Sequence, residues 1–367
     1  MAPHLWLRAE TKKNEQRTAL TPKVAKTLVD NGFQVTIEEL KSSAFNSSEY
    51  TKLGLTVVPA GTWRTAPADA YIIGLKELPE GDDTPLTHTH IFFAHCYKQQ
   101  AGWKDVLSRF KRGNGTLLDL EFLKNDQGRR VAAFGYHAGF AGAALGIDLW
   151  THRILDGDKR FPRVRPFDCE LDLLADVAGR LHHAMLRARR FPRIIITGAL
   201  GRCGSGAVQF CRELTIPEEN IIRWDMAETA KGGPFVEIIE NDVFVNCIYL
   251  SEPIAPFLTL EELSHPDRKL TAVVDVSCDT TNPYNPIPIY NESTSFDTPA
   301  LVIKHGNAKP LDVVAIDHLP TLLPREASEV FSADLLPSLL QLADRQNARV
   351  WTDAEDLFKQ KLTEAGL

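Results

Sequence analysis

No two of the six cysteines stand in a Cys-x-x-Cys pair, and none falls at a metal-ligand spacing, so neither a structural metal nor a dithiol motif is expected. Six cysteines in 367 residues are also too few for a disulfide scaffold, which makes a mostly reduced, intracellular protein the default. Long apolar runs are missing too. The longest small or apolar run, Ala138 to Ile147, is far short of the ~20 residues a membrane helix needs, and the N-terminus has no apolar stretch of the signal-peptide kind. Positive charge is in deficit: 41 Lys and Arg against 48 Asp and Glu leave a net charge of −7, which argues against nucleic acid or anionic membrane as the main partner. There is no internal repeat and no low-complexity block. What is present is ordinary for a globular protein, with 44% hydrophobic and 24% charged residues. At 367 residues the chain exceeds the size at which one core stops growing, so two domains are expected.

The chain is organised around Ile194-Ile195-Ile196-Thr197, a short apolar strand that runs into Gly198, Gly201, Gly204 and Gly206. A continuous apolar run suits a parallel strand buried on both faces. Glycines at such a turn allow positive φ, close approach of a pyrophosphate and tight packing of the following helix, predicted over Ser205 to Leu214, whose free N–H groups would meet the phosphate. The spacing departs from the common Gly-x-Gly-x-x-Gly, so the context matters. A second strand, Asn220 to Trp224, ends at Asp225, about 20 residues past the turn, where an acid reads the ribose hydroxyls and favours NAD over NADP.

Before this turn, Leu5-Trp6-Leu7 reads as a strand, and the polar stretch Arg8 to Thr18 follows. Thr21-Pro22 starts a helix that Asn31-Gly32 ends. Phe33 to Glu38 alternates as a strand. Three further apolar strands, Tyr71 to Leu75, Ile91 to Ala94 and Thr116 to Leu120, are each followed by an ionisable residue, namely Lys76, His95 and Glu121. In open parallel sheets ligands bind outside the carboxyl ends of strands, so these three should converge on one rim. Trp103, Val106, Leu107 and Phe110 fall at helical spacing and belong to the core. Gly139, Gly142, Ala143 and Gly146 form a small-residue stripe that suits close helix packing or a hinge. His182-His183, on the predicted helix Leu171 to Arg190, reads as a solvated face. Strands are expected at Asp242 to Ile248, Ala272 to Ser277, Leu301 to Lys304 and Leu311 to Ile316, and the polar loop Cys278 to Pro286 follows the second of them. The helical tail Arg325 to Leu367 is expected to return to the first domain.

Several stretches together resemble one family: Arg8-Ala9-Glu10-Thr11-Lys12, Arg17-Thr18-Ala19-Leu20-Thr21-Pro22, Gly74-Leu75-Lys76-Glu77, Phe93-Ala94-His95-Cys96-Tyr97-Lys98, the run from Asp126 to Gly135, and Leu323-Pro324-Arg325-Glu326-Ala327-Ser328. In this order, over essentially the whole chain, they are similar to the NAD-dependent, L-lysine-forming saccharopine dehydrogenases. More distantly the layout resembles alanine dehydrogenase and the nucleotide-binding part of transhydrogenase. The resemblance implies an α/β fold of two Rossmann-like domains with parallel sheets and an active site in the interdomain cleft. The domains would be 1–136 with 325–367, carrying substrate, and 137–324, carrying NAD. It implies oxidative cleavage of saccharopine to lysine and 2-oxoglutarate in lysine biosynthesis, with Lys76 as proton acceptor and His95 as proton donor. Substrate would be held by Arg17, Lys76, Gln100, Arg130, Phe134, Ser277, Cys278 and Asp279. NAD would meet Arg129, Gly201, Arg202, Asp225, Thr229, Tyr249, Val276, Ile316, Asp317, His318 and Leu319. Cys203 and Cys247 lie where the turn and a neighbouring strand end could come within disulfide range, and the resemblance also points to a bond there. No metal is implied. A cytoplasmic monomer acting on small molecules is expected; the ending Glu364-Ala365-Gly366-Leu367 is a poor match to the peroxisomal Ser-Lys-Leu type. An alanine-dehydrogenase-like enzyme using ammonia and pyruvate is the alternative, and a non-catalytic NAD sensor a third. A lysine can act as base only if burial or a nearby cation lowers its pKa, and a substrate with three carboxylates calls for several arginines.

Overall fold

Short apolar runs become the strands of two six-stranded sheets in the computed structural model, which describes residues 2–367 apart from 80, 251, 279, 281 and 282. By packing, the chain divides into two units, Met1–Ala133 with Pro324–Leu367, and Phe134–Leu323. The α/β class and the parallel sheets agree with the sequence reading.

The first unit contains β1 (His4–Leu7), α1 (Pro22–Asp30), β2 (Gln34–Glu38), α2 (Ser47–Thr51), β3 (Thr56–Val58), β4 (Tyr71–Ile73), β5 (Thr89–Phe92), α3 (Trp103–Gly113) and β6 (Thr116–Asp119). Its sheet order is β3-β2-β1-β4-β5-β6, parallel throughout. The order reverses between β1 and β4, and at such a point the loops leaving two neighbouring strands part and open a crevice. The start of α1 follows from local chemistry: Thr21 caps it by accepting from the Val24 N–H, and Pro22 occupies the first turn. The edge strand β3 was not expected. It has three residues and its valines are half-buried, too short and too mixed for an alternation signal.

The second unit contains α4 (Gly135–Asp156), α5 (Glu170–Ala188), β7 (Ile194–Thr197), α6 (Arg202–Glu213), β8 (Ile221–Trp224), α7 (Met226–Thr229), α8 (Val236–Ile239), β9 (Val243–Asn246), β10 (Ala272–Asp275), β11 (Leu301–Ile303) and β12 (Leu311–Val314). The order is β11-β12-β10-β9-β7-β8, parallel except for the β11–β12 pair. Helix α6 starts three residues earlier than expected, because Gly201 is extended and serves as its N-cap, so the helix begins at once. The small-residue stripe of α4 serves packing: a Cβ on Gly139 would lie 1.8 Å from the Cys203 carbonyl oxygen, and one on Gly206 would lie 2.0 Å from that of Tyr136. The backbones of α4 and α6 therefore touch, which only glycine permits.

The tail returns to the first unit as α9 (Pro324–Leu340) and α10 (Arg349–Ala365). Ser328 and Ser332 accept hydrogen bonds from the Thr18 and Thr21 N–H groups at 3.0 and 3.1 Å, which ties α9 to the loop before α1. Phe358 of α10 meets Phe110 of α3 edge-on at 5.7 Å. Among the described residues no helix is long and apolar enough to cross a membrane.

Candidate active site

At the β1/β4 crevice of the first unit, Lys76 is half-buried two residues beyond Gly74, where the chain leaves the sheet. Burial and the positive charge of Arg17 hold its ammonium group below the ordinary lysine value, against the opposing pull of Glu15 and Glu77. Arg17 is 4% exposed and gripped by Glu15 at two points, Nε to Oε1 at 2.8 Å and Nη2 to Oε2 at 2.7 Å. Burial alone would raise the Glu15 carboxyl, but Arg17 outweighs it and holds the group below the usual carboxylate range. Arg17 thus acts on Lys76 as a fixed charge.

His95 stands at φ +48°, a left-handed conformation that non-glycine residues adopt sparingly and often at functional sites. Its Nδ1 is hydrogen-bonded to Glu77 Oε1, and Lys12 Nζ lies 3.2 Å from the other Glu77 oxygen. Burial would raise the Glu77 carboxyl, yet the bond and charge of His95 drive it well below the ordinary range. An ionised carboxylate only accepts, so Nδ1 carries the proton in this contact and Nε2 is left free of Glu77. The His95 ring stacks on Phe93 at 6.2 Å, and the Arg130 guanidinium lies 5.9 Å from the other partner of that stack, the Phe93 centroid. His95, Glu77, Lys12 and Gln100 line a cleft of about 1020 Å³ within this unit. Gln100 Oε1 accepts from the Lys98 N–H at 3.0 Å, and Lys98 Nζ pairs with Glu121 at 2.8 Å. Arg129 is exposed in a turn closed by Asn125, whose N–H donates to its carbonyl at 2.9 Å.

Behind His95, the buried Asp119 accepts from the N–H groups of Ala94 at 3.3 Å and Glu121 at 2.9 Å. Burial pushes its carboxyl up to about 7. A carboxyl raised in the fold favours the folded state while both states are protonated, and that contribution is lost as pH rises from the unfolded value near 4 through about 7. Unfolding free energy measured against pH should therefore carry a decline across this window in the wild type. In Asp119→Asn that component should vanish; an unchanged profile would contradict the assignment.

In the second unit, Gly198 has φ +70°, and a Cβ on Gly204 would lie 2.2 Å from the Gly198 carbonyl oxygen, so the turn is closed by glycines that nothing larger could replace. Gly201 caps α6, whose first N–H groups have no partner within the helix and suit an anion. Asp225 ends β8, with Oδ2 accepting from the Leu200 N–H and Oδ1 from the Met226 N–H, both at 2.9 Å. Leu200 itself is 83% exposed beside that carboxylate. Thr229 Oγ1 donates to the Asp225 carbonyl at 2.9 Å. Arg202 lays its aliphatic stem near Gly135, Tyr249 is exposed, and Val276 packs over Gly142. Ser277 and Cys278 turn out of β10 on the buried Asp275, whose Oδ1 accepts both N–H groups at 3.2 and 3.3 Å. Asp279 lies outside the described residues. Phe134 is the half-buried residue before α4. Of Ile316 to Leu319, Ile316 and Leu319 are buried in the core, and His318 is bonded to Asp317 and meets Phe296 edge-on at 5.0 Å.

The expected Cys203–Cys247 disulfide is not formed. Among the described residues no cysteine pair is covalently bonded, and Cys203, on the first turn of α6, and Cys247, just past β9, interact as thiols. Hydrogen-bond contact between sulfurs leaves them well beyond the ~2.05 Å of a covalent bond. Sequence reasoning gave no role to Glu15, Glu77 or Asp119. Glu77 stood beside Lys76 in a matched stretch, but its partner is 18 residues away in sequence and only the β4–β5 pairing brings the two together.

These features define a two-unit α/β dehydrogenase-type architecture whose second unit carries a glycine turn between strand and helix. Residues 6–141 match the family model described as alanine dehydrogenase/PNT, N-terminal domain. Among solved structures the chain resembles an L-alanine dehydrogenase at TM-score 0.66 and 15% identity, covering 97% of this chain and 93% of that one. A transhydrogenase from Sinorhizobium meliloti gives TM-score 0.61 and 17% identity, with 93% and 94% covered. At these identities the likeness concerns the fold alone. Two relatives are much nearer. Saccharopine dehydrogenase (NAD(+), L-lysine-forming) of Schizosaccharomyces pombe is 59% identical over 98% of each chain, and that of Candida glabrata is 55% identical over 98% of this chain and 97% of its own. The chain belongs to the family of NAD(+)-dependent, L-lysine-forming saccharopine dehydrogenases.

Proposed function

We propose that the protein oxidises L-saccharopine with NAD and water to L-lysine, 2-oxoglutarate, NADH and a proton. The observation that carries this reading is the pairing, on one rim, of a lysine held below its ordinary pKa with a histidine whose tautomer is set by Glu77. Bound nicotinamide supplies a hydride acceptor, and the glycine turn, the start of α6 and Asp225 would hold the dinucleotide. The closed turn supports this fit, since a Cβ at Gly204 would fill it. Hydride leaves a carbon beside a secondary amine. That amine must be neutral first, and Lys76 in its neutral form takes the proton. The resulting carbon–nitrogen double bond is attacked by water, and His95 Nε2 moves the protons that this addition and the later expulsion of lysine require. Arg130, beside the His95 stack, is a cation available for a substrate carboxylate. On this reading the chain works as a cytoplasmic monomer on small molecules.

The test is NADH oxidation in the reverse direction with 2-oxoglutarate and either lysine or ammonia. Lysine should be the amine used, and NADPH should be a poor substitute, because the Asp225 carboxylate repels a 2′-phosphate. Ammonia with pyruvate as the better pair would establish the alanine-dehydrogenase-like alternative instead.

A further inference from the structure

We propose that Arg8 and Glu10, at the end of β1, are positioning residues that clamp the Lys76 peptide group from both sides and so fix where its side chain stands. The inference rests on the reading of Lys76 as the proton acceptor. The last bonds of this segment along the sheet are the Gly74 N–H donating to the Ile91 carbonyl and the Leu75 carbonyl accepting from the Phe93 N–H, both at 3.0 Å. Leu75 and Lys76 then leave the sheet with N–H groups that need partners, since a buried unpaired backbone donor is costly. One carboxylate supplies both: Glu10 Oε1 accepts from Leu75 at 2.6 Å and Oε2 from Lys76 at 2.9 Å. On the other side of the residue, Arg8 Nη2 donates to the Lys76 carbonyl. The two clamp residues are themselves linked, Arg8 Nη1 to Glu10 Oε2 at 3.6 Å.

Arg8 has little room to be elsewhere. It is 1% exposed, its backbone N–H is bonded to the Ile73 carbonyl at 2.9 Å, and its guanidinium lies 5.4 Å from the Phe92 ring centroid. The space it occupies exists because residue 74 has no side chain, since a Cβ there would lie 2.4 Å from Arg8 Nε and 2.5 Å from Cζ. Gly74, Arg8, Glu10 and Lys76 therefore form one unit, built from the ends of the two strands that flank the crevice. Because the peptide is held at N–H and carbonyl alike, the Lys76 side chain keeps one exit direction among the charges that act on it, which are Arg17, Glu15, Glu77 and Lys12. A displacement of about 1 Å at a reacting group can cost about 10²-fold in rate.

Glu10→Gln replaces one acceptor oxygen by an NH2 that faces a backbone donor. It should lower kcat by about 10²-fold, displace the acid limb of the kcat–pH profile, and leave NADH affinity unchanged. Arg8→Lys, which keeps a cationic donor, should lose less than Arg8→Met. Gly74→Ala removes no charge but crowds the guanidinium and should reproduce the Arg8→Met defect. Circular dichroism melting and NADH binding establish which variants are folded. Any folded member of the set that keeps wild-type kcat and pH profile overturns the clamp, as does a set that loses only melting temperature. Lys76→Met measured alongside separates the two failures: full activity there would overturn Lys76 as the base, whereas an inactive Lys76→Met with an unaffected Glu10→Gln would overturn the clamp alone.

Discussion

Lys76→Met and His95→Gln are each expected to lower turnover about 10²–10⁴-fold while NADH affinity stays nearly unchanged, the range for loss of a general acid or base. Both replacements approximate the size of the original side chain, so steric damage is small. Lys76 must be neutral to accept the amine proton, and its pKa is already held below the ordinary value by burial and Arg17. Activity should therefore rise with pH through the lysine's pKa in the wild type, and that limb should disappear in Lys76→Met. Loss of His95 should change the pH profile differently, because Glu77 holds Nδ1 and leaves Nε2 to exchange protons with substrate. The double variant should be little worse than the poorer single one, since groups that act as a unit are not additive. Retention of near-wild-type turnover and a full pH profile by either single variant would make that residue a bystander.

Arg17→Met is expected to cost about 3–5 kcal/mol of unfolding free energy, because it strands the Glu15 carboxylate in a site where that side chain is 3% exposed. The sign of the pH dependence follows from the direction of the Glu15 shift. A carboxyl held below its unfolded value in the fold contributes stability above that value, and the contribution is lost as pH falls through the folded one. The gap between wild type and Arg17→Met should therefore be widest at neutral pH and close in acid. Catalysis should move as well. Without Arg17 the Lys76 ammonium loses a repelling neighbour and keeps the attraction of Glu15, so the acid limb of kcat should shift to higher pH. Adding Glu15→Gln should return part of the stability, since the stranded charge is then gone. Denaturant melts at pH 4 and 7, with pH–rate profiles, test both halves. An Arg17→Met protein as stable as wild type at pH 7 would show that the pair contributes nothing.

Much of this architecture follows from patterns local in sequence. Ile194 to Ile196 read as a strand buried on both faces, the glycines after it as a tight turn, and Thr21-Pro22 as a helix start, and each is found so. The rule that ligands meet the carboxyl ends of parallel strands brought Lys76, His95 and Glu121 to one rim, because each follows an apolar run, and the resemblance then gave the first two their expected roles. The resemblance in short stretches named the family. These inferences need only the neighbours of each residue and the periods of helix and strand.

What tertiary structure decided is the state of those side chains. Glu77 meets His95 across the β4–β5 pair, Glu10 and Arg8 meet the Lys76 peptide across β1–β4, and Glu15 rather than solvent takes Arg17. Sheet order and register set the first two of these partnerships, and the burial of the loop before α1 sets the third. The same limit explains the cysteines: topology placed Cys203 near Cys247, but whether two sulfurs bond covalently depends on geometry that spacing in sequence does not carry. It explains Ile316 and Leu319 as well, which close the core of their unit. Local sequence determines which groups reach the rim; burial and long-range charge, which exist only once the sheets are assembled, determine their protonation and their direction.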